Sequence, residues 1–264
     1  MLQISVDLLA EVDDLHALVE TLEPEDWERP TTFMNWTPWD VIAHLHFFDE
    51  VSLVALEGRE PFGELQKEFI GLLQEGLGSA EIAKRKLGDL SPKELTTRWR
   101  ERNRAMAEQL GNSDPKRRLP WFGPDMGVQM FTTARLMETW AHGQELWDLK
   151  GRERSHSDRI KHICEIGVRT FGWTFMNRGE QPPGPPPYVR LTAPSGGVWE
   201  WQEPSETEIV RGSAVDFARV VTQVRNIADT PLEVVGPVAN AWMAIAQCFA
   251  GGAADPPAPG TRTI

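Results

Sequence analysis

In the stretch METWAHGQELWD, Met137 to Asp148, a carboxylate at Glu138 and an imidazole at His142 stand four residues apart within a run of helical character. Four residues is about one helical turn, so both groups share a face with Phe131 and Leu149. Polar groups buried there without partners would cost about 1–3 kcal/mol each. A divalent cation would satisfy both. So would a helix-surface pair, or a hydrogen bond involving Arg135 three residues earlier, and spacing alone leaves these readings open. A second helical run, WDVIAHLHFFDE, supplies a third donor. On a helical wheel Val41, Leu45, Phe48 and Ser52 form its inner stripe, with His44 beside the stripe and His46 almost opposite. His44, Glu138 and His142 together offer two nitrogens and one oxygen. Three protein ligands leave a tetrahedral ion one open position, as in catalytic rather than structural sites; zinc fits this set, and nickel, iron or manganese also would. His16, His156 and His162 lack partners at ligand spacing and read as solvated, as does Asp49 at the polar margin of its helix.

The elements that must carry these residues can be read from periodicity. Leu8, Leu9, Val12, Leu15, Leu18, Val19 and Leu22 follow the spacing of an amphipathic helix from about Ile4 to Leu22. Thr37 and Pro38 open a second helix, which stops at Gly58. A shorter helical piece is expected around Phe62 to Leu77. Ser91 with Glu94 resembles a capping box and opens a third long helix that exits at Gly111. Turn residues fill NSDPKRRLPWFGPDMG, and a fourth long helix runs from about Val128 to Leu149. A further helix fits Asp158 to Met176, before the proline-rich RGEQPPGPPP. Beyond it YVRLTAP, GVWEWQ and TEIVRG read as short antiparallel strands, and SAVDFARVVTQVRN and PVANAWMAIAQCFAG as helices. The expected architecture is mainly α: a helical bundle over residues 1–180, a boundary near residue 184, and a small α+β domain over residues 188–252.

Composition bounds the partners. The 264-residue chain carries a formal net charge of −12, which argues against nucleic acid or an anionic membrane surface. A small molecule is the expected partner. Two cysteines, Cys164 and Cys248, provide neither a disulfide framework nor a cysteine-rich zinc site, and both lie in apolar helical patterns that suit packing rather than nucleophilic work. With no charged apolar leader and no run of 18 apolar residues, the expectation is a soluble, cytoplasmic protein, monomeric or homodimeric. Phe33, Met34 and Trp36 before the second helix and Trp121, Phe122 and Met126 before the fourth are candidate pocket walls, favouring an apolar substrate, or simple covers over a bundle end.

NWTPWDVIAHLHFFDE together with ARLMETWAHGQELWDLKG resembles the DinB-like metal-binding superfamily, specifically its mycothiol-dependent maleylpyruvate isomerase branch. In that family a Trp and an Asp precede the first metal-binding His, and a Glu and a His follow four apart on a later helix. Those positions fall here on Trp36, Asp40, His44, Glu138 and His142. The resemblance implies a four-helix bundle holding a divalent metal, usually zinc, with a small α+β C-terminal domain of the same branch. It implies that mycothiol, a low-molecular-weight thiol of actinobacteria, binds the metal as thiolate and adds to an electrophilic substrate. In the C-terminal domain a strand ending in Gly, a helix and a closing Arg match Gly212 and Arg225, which assigns Arg225 to the cofactor's anionic part; the family's usual Gly before that Arg is Val224 here. The expected activity is a thiol-using transferase or isomerase with Trp36 and Trp121 near the substrate. A metal-activated-water hydrolase and a noncatalytic metal or ligand carrier are the alternatives, since a fold does not fix chemistry.

Overall fold

A computed structural model describes residues 1–262. The chain divides into two compact units, Met1–Gly151 and the residues from Arg152 onward. In the first, four long helices form a bundle: α1 (Gln3–Val19), α2 (Pro38–Glu57), then, after the shorter α3 (Arg59–Gln74) and α4 (Ser79–Leu87), α5 (Pro92–Gly111), and finally α6 (Val128–Leu149). Helix α1 packs on α5 and α6, and α2 on α5, α4, α3 and α6. Between α5 and α6 the chain makes a two-stranded antiparallel ribbon, β1 (Arg118–Leu119) with β2 (Met126–Gly127). The sequence expectation had one short helical piece before α5 and only turns before α6. The glycines at 76, 78 and 88 divide that first region, and the ribbon's strands are too short to leave a periodic signal.

Capping fixes where the helices begin. The Thr37 hydroxyl accepts from the Asp40 backbone N–H, and the Asp40 carboxylate accepts from the Thr37 backbone N–H and hydroxyl, a reciprocal box that starts α2. Ser91 and Glu94 do the same for α5. Close packing of α6 on α1 is possible at Gly143, where a Cβ would stand 3.3 Å from both Leu15 methyls. The interior is not wholly apolar. Asp49 of α2 and Arg135 of α6 are both buried; Arg135 Nη2 donates to Asp49 Oδ1 at 2.9 Å, and Asn103 of α5 donates to Asp49 Oδ2 at 2.8 Å. Asp49 is therefore no solvated margin residue. Burial pushes its carboxyl pKa up, against the opposing pull of Arg135 and Asn103.

The second unit starts earlier than residue 184. Helix α7 (Lys161–Arg169) and α8 (Phe171–Met176) precede a four-stranded sheet of β3 (Tyr188–Thr192), β4 (Val198–Trp201), β5 (Ile209–Ser213) and, after α9 (Ala214–Val221), β6 (Glu233–Val235), with α10 (Pro237–Met243) following. Gly167 lets α7 lie against α9, since a Cβ there would stand 2.8 Å from Val221 Cγ2 and 3.1 Å from Phe217 Cε1. Aromatic contacts of Trp242 with Phe171 and Phe217 extend that core. This packing assigns α7 and α8 to the second unit, so the proline-rich stretch is an internal connection of that unit. The sheet order is β4-β3-β5-β6, with β3 and β5 parallel. Antiparallel pairing was expected; β5 instead crosses past β4's hairpin partner to the free edge of β3 and, running opposite to β4, lies parallel to β3.

Two outcomes follow from the ion pairs. Arg135→Ala leaves Asp49 as an uncompensated buried charge and should cost about 3–5 kcal/mol in urea unfolding. In the second case, Lys150 first, then the Glu23 N–H and Arg29, hold the Asp26 carboxyl below its ordinary pKa of 3.8. A depressed carboxyl stabilises the fold above its unfolded pKa and loses that contribution as pH falls through the folded value. Asp26→Asn should therefore lower the urea midpoint at pH 7, and the difference from wild type should shrink as pH drops below about 4.

Candidate metal centre

The central stretches of α2 and α6 bring the three expected side chains together. His44 Nε2 lies 3.5 Å from Glu138 Oε2, and His142 Nε2 lies 3.3 Å from the same oxygen. One ligand atom from each residue can be chosen so that all lie within 4.8 Å of one another. Among the described residues this is the group of His, Cys, Asp and Glu side chains able to hold a metal. The spacing is informative. Charge-assisted hydrogen bonds close to about 2.7–2.9 Å, whereas donors held at about 2.0–2.1 Å around a tetrahedral ion sit about 3.3–3.4 Å apart. The 3.3 Å contact of His142 has the second value, and the 3.5 Å contact of His44 lies just beyond it.

Electrostatics agree with a ligand role. Burial, aided by the charge of His142, lowers the His44 pKa to about 4 despite the pull of Glu138. The ring is thus neutral at pH 7, the state in which an imidazole binds metal. Burial raises the Glu138 pKa, but the two imidazoles beside it, His142 first and then His44, outweigh it, and the group ends well below the carboxylate range. The site is reachable: the Glu138 side chain is 24% exposed and that of His142 14%. His44 Nδ1 is buried without a hydrogen-bond partner among the described residues, so no acceptor fixes the tautomer from behind.

Aromatic rings surround the trio. Trp36 stacks on His142 at 5.5 Å between centroids with 14° between planes and lies 5.0 Å from His44. Phe33 meets His142 edge-on at 5.3 Å, and Phe48 lies 4.8 Å from His44. Phe33 and Trp36 are the ends of a tight turn closed by the Trp36 N–H on the Phe33 carbonyl, with Met34 and Asn35 at φ 51° and 58°. Trp121 belongs to a second patch, 6.2 Å from Phe48. Asp40, which by the family pattern precedes the first metal-binding His, is occupied by the α2 cap and fixes the start of the helix that carries His44.

Other expectations need correction. His46 is not outward: it is 3% exposed, because α4 and α5 cover the far side of α2. A wheel drawn for a surface helix misreads one enclosed on all sides. His156 is not solvated either; burial first, then Arg154, Arg219 and Arg159, lowers its pKa to about 3. Arg225, read from sequence as a candidate anion contact, is 4% exposed within the second unit and donates through Nη1 to the Val224 carbonyl at 2.9 Å. The ring of Phe48 against His44 was missed as a site feature, although its place on the inner stripe was legible.

The strained turn yields a stability prediction. Met34 is 73% exposed and in the left-handed region, which costs a side-chain-bearing residue roughly 1 kcal/mol relative to glycine. Met34→Gly should raise the unfolding free energy, and with it the denaturation midpoint, by up to about 1 kcal/mol, less whatever the added chain freedom of glycine in the unfolded state takes back. An unchanged or lowered midpoint would argue against strain at this turn.

Residues 8–147 match the family model described as the mycothiol maleylpyruvate isomerase N-terminal domain. Uncharacterized proteins from two strains of Mycobacterium tuberculosis are each 39% identical over 245 residues, covering 93% of this chain and 94% of theirs. Among solved structures, the mycothiol-dependent maleylpyruvate isomerase and a histidine-to-alanine variant of it superpose with a TM-score of 0.53 at 11% identity, covering 83% of this chain and 87% of that one. At that identity the superposition shows a shared fold and nothing more. With the matched model spanning more than half its length, this chain belongs to the mycothiol maleylpyruvate isomerase family of the DinB-like superfamily.

Proposed function

We propose that the chain is a metal-dependent, mycothiol-using transferase or isomerase acting on a small electrophile. Its metal ligands would be His44, Glu138 and His142, and zinc suits the donor set. The observation that carries this reading is the pair of 3.3 and 3.5 Å contacts that converge on one Glu138 oxygen from rings on two helices. A divalent ion bound there would supply a Lewis acid that holds a thiol as thiolate at neutral pH.

The chain's own groups have distinct tasks. Glu138, held ionised, would offset part of the charge of an ion bound there, and the ring nitrogens of His44 and His142, as uncharged donors to it, would leave a net positive centre that favours an anionic sulfur. Trp36 and Phe33 shield the His142 side from bulk water, and Trp121 contributes to the wall where the electrophile would sit. A nucleophile from the chain is disfavoured: Cys164 is fully buried, which pushes its thiol pKa up, and Cys248 is buried as well. A cytoplasmic, actinobacterial setting accompanies the proposal, since low-molecular-weight thiols work in reducing compartments and the 39%-identical relatives are mycobacterial. No helix of the described residues is long and apolar enough to cross a membrane.

Cobalt substitution tests the thiol step. Adding mycothiol to the cobalt protein should produce a saturable sulfur-to-cobalt charge-transfer band, and His142→Ala should abolish it. A spectrum indifferent to thiol would overturn the thiol-transfer reading. If the same protein then hydrolysed esters or amides without thiol, a hydrolase would take its place; silence in both assays would leave a metal carrier.

A further inference from the structure

The reading above leaves the electrophile unnamed, and the rings around the metal centre bear on it. Phe48, Trp121 and Phe122 are each half-exposed and in mutual contact, at 6.2 Å for Phe48 with Trp121, 6.1 Å for Phe48 with Phe122 and 5.3 Å for Trp121 with Phe122. Phe48 also touches His44, so this patch begins at the ligand set. Buried rings back it: Phe69 lies 4.9 Å from Phe122, Phe62 5.4 Å from Phe122, and Phe131 4.8 Å from Trp121. Across the trio, Phe33 and Trp36 face His142. The centre is therefore flanked by aromatic surface on both the His44 and the His142 side.

Charged groups of the same neighbourhood are already engaged. Asp125, on the loop that carries Trp121 and Phe122, binds the guanidinium of Arg59 through its carboxylate and that of Arg118 through its backbone carbonyl. Arg135, whose charge reaches His44, is committed to Asp49. With the ion's open position taken by the thiolate, a carboxylate on the substrate would have to break one of these pairs. A planar apolar group would displace only water from ring faces, with the edge and face contacts that aromatic pairs favour.

We propose that the electrophile carries an aromatic ring or a comparably flat conjugated group, seated against Phe48, Trp121 and Phe122 with its reactive carbon toward the metal centre. This rests on the thiol-transfer reading for the word electrophile, but the binding preference can be measured without turnover. Calorimetric titration of the metal-loaded protein would use three unreactive probes: naphthalene-2-carboxamide, succinamide and succinate. The naphthalene amide should bind with a Kd at least tenfold below both others. Phe122→Leu, which keeps apolar bulk in a loop position, should weaken it about tenfold while metal content stays unchanged, and Phe122→Trp should retain it. Equal or tighter binding of succinamide or succinate would overturn the proposal, as would a Phe122→Leu protein that binds the ring probe like wild type. If the cobalt protein ignores thiol and the naphthalene amide still binds, the thiol reading falls and the ring site stands. If thiol binds and the ring probe does not, the ring site alone falls.

Discussion

One carboxylate oxygen shared by two imidazoles from different helices is the constraint on which the first unit depends. Glu138 lies among Trp36, Phe33, Phe48 and the two histidine rings, where an ionised group must be offset by charge or by strong hydrogen bonds. The contacts it makes, 3.3 and 3.5 Å, are longer than closed charge-assisted hydrogen bonds and leave room for an ion among the three donors. Its exposure is also partial, so the polar centre is neither sealed as a structural site would be nor free on the surface.

Much of the surrounding architecture keeps α2 and α6 in the register this needs. The Thr37 and Asp40 box starts α2 two turns before His44, and Gly143 lets α6 settle on α1 directly after His142. Asp49 and Arg135, with Asn103, bind α2, α6 and α5 through a buried polar cluster placed five residues beyond His44 and three before Glu138. Burying that cluster is costly in itself, and its pairing specifies how the helices meet. The candidate ligand trio and the polar cluster thus act on the same pair of helices.

The trio was legible because one turn of helix separates Glu138 from His142 and because His44 stood beside an apolar stripe; the family pattern then selected the metal reading over a surface pair. The long helices were legible from their caps, Thr37 with Pro38 and Ser91 with Glu94. Failures arose where tertiary enclosure overrides local pattern. His46 and Asp49 look solvated on a wheel, yet α2 is covered by α4, α5 and α6. The place of α7 in the second unit depends on Gly167 meeting Val221, and the parallel pairing of β3 with β5 depends on which free edge a strand finds; neither contact leaves a local trace.

The metal centre is tested most directly by the metal content of protein purified without chelator, measured by inductively coupled plasma mass spectrometry beside Glu138→Gln and His44→Ala proteins whose circular dichroism matches wild type. The account predicts about one divalent ion per wild-type chain and a large loss in both variants, since three protein ligands leave none to spare. A metal-free wild-type protein that also fails to take up added zinc, or variants that hold metal as fully as wild type, would contradict it.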